Sequence, residues 1–403
     1  MLEISERLAE LESSGLRRRL RVIEGPQGPE VVLDGRPVLL LCSNNYLGLA
    51  DHPRLRRAAA DAALSLGTSA GASRLISGSM SIHAELESRL AEFKGTEAAL
   101  LFGSGYLANM GAIAALAQRG EVVLSDELNH ASIIDGCRLA RAETFVYRHA
   151  DTEHLGWGLR RAAGRAALIV TDGVFSMDGD IAPLPALADL ARRHGCRLLV
   201  DEAHATGCIG PGGRGSVAAA GVTDEVDVIV GTLGKALGGY GAYVCGSREL
   251  VDFLVNSARP FIFSTAPPPA SVAAARAALE LLADRPERVE RLRANAAALR
   301  EGLHSEGLEP IGSETQIVPL VIGEADDTMT LCERLLAEGV FAQAIRPPTV
   351  PPGTCRLRLT TMATHRVADL RHAARLIGEA ARDLGLTSRT SHKVVATPLH
   401  EAA

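Results

Sequence analysis

Two short stretches of this 403-residue chain place reactive side chains directly after apolar runs. Cys196-Arg197-Leu198-Leu199-Val200 leads into Asp201-Glu202-Ala203-His204-Ala205-Thr206-Gly207. Val226-Asp227-Val228-Ile229-Val230 leads into Gly231-Thr232-Leu233-Gly234-Lys235-Ala236-Leu237-Gly238-Gly239. Each apolar run predicts a buried strand, and its polar end falls where open α/β sheets hold ligands. A lysine amine can form a Schiff base. A carboxylate can keep a pyridine nitrogen protonated, so that the ring takes up electrons from a substrate carbanion. Asp201 and Lys235 suit those two jobs, and pyridoxal phosphate is the cofactor that needs both. Taken singly, Asp201 reads as a turn cap and Lys235 as a surface lysine. The pair at successive strand ends, with glycines around the lysine, carries the reading.

Other motifs offer chemistry of their own. Gly103-Ser104-Gly105-Tyr106-Leu107-Ala108 follows the run Ala98 to Phe102 and matches the G-x-G-x-x-A dinucleotide fingerprint, with Asp126 downstream. The same glycines can open a helix whose free N–H groups hold a phosphate. That match does not choose between NAD and pyridoxal phosphate. Gly67-Thr68-Ser69-Ala70-Gly71 matches G-x-S-x-G, but Leu55 to Leu66 before it is helical in pattern, and a hydrolase elbow needs a strand there. Gly234-Lys235 is no Walker A loop, because Ile229 and Ala236 break that pattern. Arg346 heads the Pro-rich loop Arg346-Pro347-Pro348-Thr349-Val350-Pro351-Pro352-Gly353, a rigid way to present a guanidinium to a carboxylate; a plain surface loop is the alternative. Arg17-Arg18-Arg19-Leu20-Arg21 is either a solvated face or a reach toward an acidic substrate.

The elements that must position these groups alternate. Strands are predicted at Glu121 to Ser125, Thr144 to Arg148, Ala166 to Thr171, Cys196 to Asp201, Val226 to Thr232 and Gly241 to Cys245. Helices such as Ala131 to Ala140 and Pro185 to His194 lie between them, which makes a mostly parallel, doubly wound sheet. Residues 1–24 read as an amphipathic helix with Leu2, Leu8, Leu11 and Leu16 as its stripe. Asp34-Gly35 centres a hairpin between Val31 to Leu33 and Val38 to Leu41. Ser43 to Leu49 reads as a polar link, and Ser81 as the cap of a helix running to Lys94. After the helical stretch 270–306, strands at Ile317 to Val321, Phe341 to Ile345 and Arg356 to Thr360, with helices at Met329 to Glu338 and Arg366 to Leu384, predict a smaller α+β domain. The boundaries fall at an N-terminal segment 1–42, a large domain 43–290, a small domain 291–386 and a polar, disordered tail 387–403.

Composition bounds the partners. The chain is 47% hydrophobic and can bury a large core. A net charge of -6 and 3% aromatics argue against nucleic acid or an anionic membrane as partner. The seven cysteines form no CxxC pair, so they read as reduced cytoplasmic thiols and not as disulfides or a metal site. Neither a signal peptide nor a membrane-spanning run is present in the sequence.

Asn44-Asn45-Tyr46-Leu47-Gly48, Gly103-Ser104-Gly105-Tyr106, Asn129-His130-Ala131-Ser132, Val174-Phe175-Ser176-Met177-Asp178-Gly179, Asp201-Glu202-Ala203-His204 and Thr232-Leu233-Gly234-Lys235, in that order, resemble the α-oxoamine synthases. These are fold-type-I pyridoxal phosphate enzymes that join an amino acid to an acyl thioester. The resemblance spans nearly the whole chain. It implies that Lys235 carries the cofactor, Asp201 pairs with the ring nitrogen, His130 stacks on the ring, and Ser176 and His204 bond the phenolic oxygen. Gly105, Tyr106 and Thr232 would hold the phosphate, with Ser264 and Thr265 reaching the partner subunit's phosphate in a homodimer. Arg17, Asn44, His130, Arg346 and Thr349 would meet substrate. The loop Arg346 to Pro351 is similar to the branch that joins L-alanine to a pimeloyl thioester, carried on coenzyme A or a carrier protein. Glycine with acetyl-CoA is the rival branch. An NAD-dependent oxidoreductase, which gives Lys235 no role, and a non-catalytic sheet protein are the rivals outside the family.

Overall fold

The computed structural model describes residues 3–14 and 16–386, so Leu2 of the first stripe and the tail read from Thr387 to Ala403 lie outside the described residues. The chain forms two compact units. One contains residues 44–176 and 180–292, the other 1–43, 177–179 and 293–403.

The larger unit is built on a seven-stranded sheet. Its spatial order is Ala98–Phe102, Ala242–Gly246, Val228–Thr232, Arg197–Asp201, Ala166–Asp172, Val122–Asp126, Glu143–Tyr147. Ala242–Gly246 pairs antiparallel with both its neighbours, and every other pairing is parallel. The strands are short runs of Val, Leu and Ile buried on both faces, as parallel strands covered by helices must be. The helices that cover them, among them Gly105–Leu116, Ala131–Ala140 and Leu184–His194, obey their caps. Asp151 opens Thr152–Ala162 by accepting the N–H of His154, and Gly195 closes Leu184–His194 in the left-handed conformation. Leu100, Ile113, Val123, Leu168, Leu199, Val230 and Leu254 meet in one core, all of them at most 3% exposed. Chain order reverses between Val122–Asp126 and Ala166–Asp172, the position where such sheets open a crevice at their carboxyl ends. In register Asp172 lies opposite Asp201, and Asp201 opposite Val230, so the polar strand ends are level.

The smaller unit holds two sheets. Ile23–Glu24, Glu30–Leu33, Arg36–Leu40 and Val340–Phe341 form one; Ile317–Gly323, Cys355–Thr360 and Gln343–Ile345 form the other. The hairpin turn takes positive φ at Asp34 (51°) and Gly35 (75°), as the sequence predicts. Helices Ala325–Ala337 and Val367–Asp383 pack their apolar stripes on this unit's core with Leu299, Leu303 and Leu357.

Several local expectations are corrected. The first helix is Ile4–Ser13, not 1–24. Its last turn gives way at two serines, and the Ser13 hydroxyl bonds the carbonyl of Glu10. Ser81 begins its helix but does not cap it: Met80 is the cap residue, and its N–H is satisfied by Nδ1 of His83. The single strand expected at Phe341 to Ile345 splits into Val340–Phe341 and Gln343–Ile345, which serve different sheets. The link Ser43 to Leu49 is no solvated linker, because Tyr46, Leu47 and Leu49 are fully buried.

Candidate active site

Four strand ends of the larger unit deliver the reactive groups. Arg197–Asp201 ends in Asp201, 4% exposed, whose Oδ1 accepts the N–H of Ala203 at 2.8 Å and whose Oδ2 accepts Nδ2 of Asn109 at 2.6 Å. The turn after it places His204, 5% exposed, with Nε2 at 2.9 Å from the Lys235 Nζ. His204 Nδ1 lies 2.7 Å from the Tyr46 hydroxyl, which donates to Asn44 Oδ1 at 2.9 Å. The Tyr46 proton goes to Asn44, so its oxygen accepts from Nδ1–H, and Nε2 keeps a lone pair for the lysine amine. Lys235 follows Val228–Thr232 after a tight turn in which the Thr232 hydroxyl accepts the Gly234 N–H and donates to the Gly241 carbonyl. Gly231 must be glycine, since a Cβ there would stand 2.2 Å from the Tyr243 oxygen.

His130 ends the strand Val122–Asp126 region as the N-cap of Ala131–Ala140, its Nδ1 accepting the Ser132 N–H. Its own N–H goes to Asp172 Oδ2 at 2.9 Å. Burial holds the His130 imidazole below its ordinary pKa; Asp201 pulls it up and Lys235 pushes it down. Burial, then the charge of Asp201, drives the Asp172 carboxyl well above the usual carboxylate range. Ser176 lies in the turn after Ala166–Asp172, which is pinned by the bridge from Val174 to Ile181.

The N-terminus of Gly105–Leu116 lies beside Thr232: a Cβ on Gly105 would stand 4.0 Å from that of Thr232. Ser104 caps this helix, and the next N–H groups have no partner inside it. Tyr106 turns its hydroxyl outward onto Asp135. Thr265 is exposed and forms a bridge with Ser73, next to Ser264.

Arg17, Arg346 and Thr349 come together in the smaller unit. Arg346 Nη2 donates to the Arg17 carbonyl at 3.3 Å, the Thr349 N–H to the Arg346 carbonyl at 3.1 Å, and the Arg17 guanidinium pairs with Glu12 at 3.1 Å. The sequence reading passed over Arg356 and Arg358, both nearly buried on the strand Cys355–Thr360; Arg356 pairs with Asp178. Their i, i+2 spacing in an otherwise apolar strand is the signal that marks them. It also gave no role to Asn109, or to Ser132 beyond its place in Asn129-His130-Ala131-Ser132, polar residues at 0% and 1% exposure inside helices that otherwise bury apolar side chains.

These residues fit pyridoxal phosphate on three counts. Asp201, buried beside the Asp172 carboxyl that its charge helps hold above the usual carboxylate range, is a negative group that a cationic ring nitrogen would offset. A helix N-terminus with free N–H groups lies beside Thr232, whose hydroxyl becomes a second donor for a phosphate once its hydrogen turns from the Gly241 carbonyl. Lys235 offers its amine 2.9 Å from a histidine lone pair. Among the described residues no group of three or more His, Cys, Asp and Glu could hold a metal ion.

Comparison with known proteins agrees. The family described as aminotransferase class I and II matches residues 36–377. The 8-amino-7-oxononanoate synthase of Geobacter sulfurreducens is 57% identical over 95% of this chain and 99% of its own. A serine palmitoyltransferase structure from S. paucimobilis, with bound PLP–myriocin aldimine, superposes with a TM-score of 0.90 at 35% identity, covering 95% of this chain and 97% of that one. The crystal structure of 8-amino-7-oxononanoate synthase from Francisella tularensis gives 0.74 at 26% identity over 86% and 98%. The chain thus belongs to the α-oxoamine synthases, fold-type-I members of the class I and II aminotransferase family.

Proposed function

We propose that this protein is an 8-amino-7-oxononanoate synthase, a pyridoxal phosphate enzyme of biotin biosynthesis that joins L-alanine to a pimeloyl thioester with loss of CO₂ and release of the thiol carrier. The observation that carries the reading is the Lys235–His204–Tyr46–Asn44 chain beside Asp201, in a sequence 57% identical to a protein of that name. Pyridoxal phosphate supplies an electron sink for the negative charge that forms at the amino-acid Cα.

The residues of this chain do the rest. Asp201, fixed on both oxygens, holds a proton on the ring nitrogen. Lys235, as a free amine, removes the Cα proton, with His204 Nε2 orienting the Nζ. His130 covers the ring and faces the oxyanion that develops on the thioester carbonyl. Ser176 joins His204 at the phenolic oxygen. Gly105, Tyr106 and Thr232 receive the phosphate, with Ser264 and Thr265 contributed across a homodimer. Asn44, held by the Tyr46 hydroxyl, meets the substrate in this reading. The cluster of Arg17, Arg346 and Thr349 takes an anionic end of a substrate. Guanidinium pairs of that kind contribute roughly 1.5–3 kcal/mol when partly buried, so Arg346→Lys is expected to raise one substrate's KM about tenfold or more.

Product analysis tests the proposal. The purified enzyme is given L-alanine or glycine with pimeloyl and acetyl thioesters. Formation of 8-amino-7-oxononanoate from alanine is the expected result. Formation of 2-amino-3-oxobutyrate from glycine and acetyl-CoA, with no turnover of alanine, overturns the branch.

A further inference from the structure

Asn109 lies inside the helix Gly105–Leu116, with none of its surface exposed. Its Nδ2 has two N–H bonds, and both are used: one meets Asp201 Oδ2 at 2.6 Å, the other Ser132 Oγ at 2.9 Å. Ser132 Oγ in turn lies 2.7 Å from Nδ1 of His130. The Ser132 backbone N–H reaches the same nitrogen at 3.2 Å. A continuous chain of hydrogen bonds therefore joins the Asp201 carboxylate to the His130 imidazole.

The polarity of that chain is determined at both ends. A carboxylate oxygen accepts only, so Asn109 must turn its NH₂ and not its carbonyl toward Asp201. The Asn109 Oδ1 is left without a partner among the described residues, the cost of that orientation. Nδ2 can only donate, so Ser132 Oγ accepts from it and its hydroxyl hydrogen is free to go to Nδ1 of His130. The backbone N–H of Ser132 also can only donate. Two donors thus converge on Nδ1, which must be unprotonated, and the imidazole proton belongs on Nε2.

We propose that Asn109 and Ser132 are positioning residues that hold His130 as the neutral Nε2–H tautomer, so that it acts on the thioester oxyanion as a fixed hydrogen-bond donor and not as a proton donor. The proposal rests on the reading of His130 as the group over the cofactor. No bond to hydrogen breaks in this role: Nε2 keeps its proton while the oxyanion forms and collapses. Proton donation would require an imidazolium, whose Nδ1–H would point at the Ser132 N–H, donor against donor. Burial also opposes that charged form. The same Asn109 amide holds Asp201, so one residue sets both the ring-nitrogen partner and the group above the ring.

The tautomer can be read directly. Holoenzyme labelled with ¹⁵N-histidine is observed by two-bond ¹H–¹⁵N correlation, with His130→Gln to assign the signal. The expected pattern is a protonated Nε2 and a bare Nδ1 at every pH above the ordinary histidine pKa of about 6.5. Ser132→Ala removes the shorter of the two bonds to Nδ1 and keeps the backbone one, so it is expected to let some of the Nδ1–H tautomer appear and to lower kcat about tenfold with little change in either KM, with Ser132→Thr restoring both. A protonated Nδ1 in the unaltered enzyme, as tautomer or imidazolium, overturns the proposal, as does a Ser132→Ala protein whose tautomer is unchanged. If Asn109→Leu fails to fold, the Ser132 pair still decides. Because the spectrum needs no substrate, a wrong substrate assignment leaves this result intact, and the reverse also holds.

Discussion

A lysine amine placed 2.9 Å from a bare imidazole nitrogen is held for reaction, because the lone pair on His204 takes one of its hydrogens and fixes its direction. Borohydride reduction of the holoenzyme followed by peptide mapping is expected to leave pyridoxyl on Lys235. Label on another lysine would refute the assignment. Lys235→Ala is expected to keep the cofactor through its other contacts and to lose turnover, as read by absorbance after gel filtration and by product formation. At this scale the sequence was informative where a side chain follows a strand directly. Asp201, Thr232 and Lys235 announce themselves by the apolar run before them. Asn109 and Ser132 did not, because a buried polar residue within a helix is distinguishable from a solvated one only when its partners are known, and those come from strands and helices far away in sequence.

The turns that carry the site are held by buried charge. Lys94 and Glu202, at 1% and 0% side-chain exposure, form an ion pair behind the turn that follows Asp201. Lys94 also donates to the Thr206 hydroxyl at 2.9 Å and the Arg214 carbonyl at 2.6 Å, while Glu202 accepts Ser216 Oγ and the Val217 N–H. Removing one partner strands the other charge, so Lys94→Met is expected to cost about 3–5 kcal/mol in chemical denaturation. The double variant Lys94→Met with Glu202→Gln is expected to recover part of that loss. A second pin joins the turn bearing Ser176 to two strand ends. His149 bonds Asp126 at 3.0 Å and Asp180 at 2.8 Å. Burial opposes its charge, but the hydrogen bonds and charges of Asp126 and Asp180 outweigh burial and hold its pKa up to about 10. Its folded pKa is raised, so its stabilising contribution is complete below the unfolded value of about 6.5, declines as pH rises, and is lost above about 10. His149→Gln is therefore expected to lower the melting temperature at pH 6 and to have little effect near pH 10. An equal loss at both would show that packing, and not charge, is what His149 supplies. Element types were legible from periodicity, as in Ala131–Ala140, which the structure reproduces residue for residue. Ends were less so: the first helix stops at its serines, and the helix from Ser81 is capped by Met80, whose N–H goes to the His83 ring, a device that Ser81 itself conceals.

At the scale of the molecule, the proposed phosphate contacts of Gly105 and Thr232 from one protomer, with the exposed Thr265 beside Ser264 offered to another, are the grounds for expecting a homodimer. Sedimentation is expected to give a dimer, with activity falling on dilution in step with dissociation; a fully active monomer would refute it. The fold class was legible because strands and helices alternate from Ala98 to Thr232. The pairing of Leu39 and Leu40 with Val340 and Phe341 was not, since nothing in either stretch names the other. That pairing has a consequence for the chain as it is made. When the hairpin Glu30–Leu40 leaves the ribosome, its parallel neighbour is still three-quarters of the message away. The strand edge at Leu39 and Leu40 stays without its partner through synthesis of the entire larger unit. The slow, long-range closure of this small sheet, and not the assembly of the catalytic core, then governs how soon a new chain is safe from its neighbours on the same polysome.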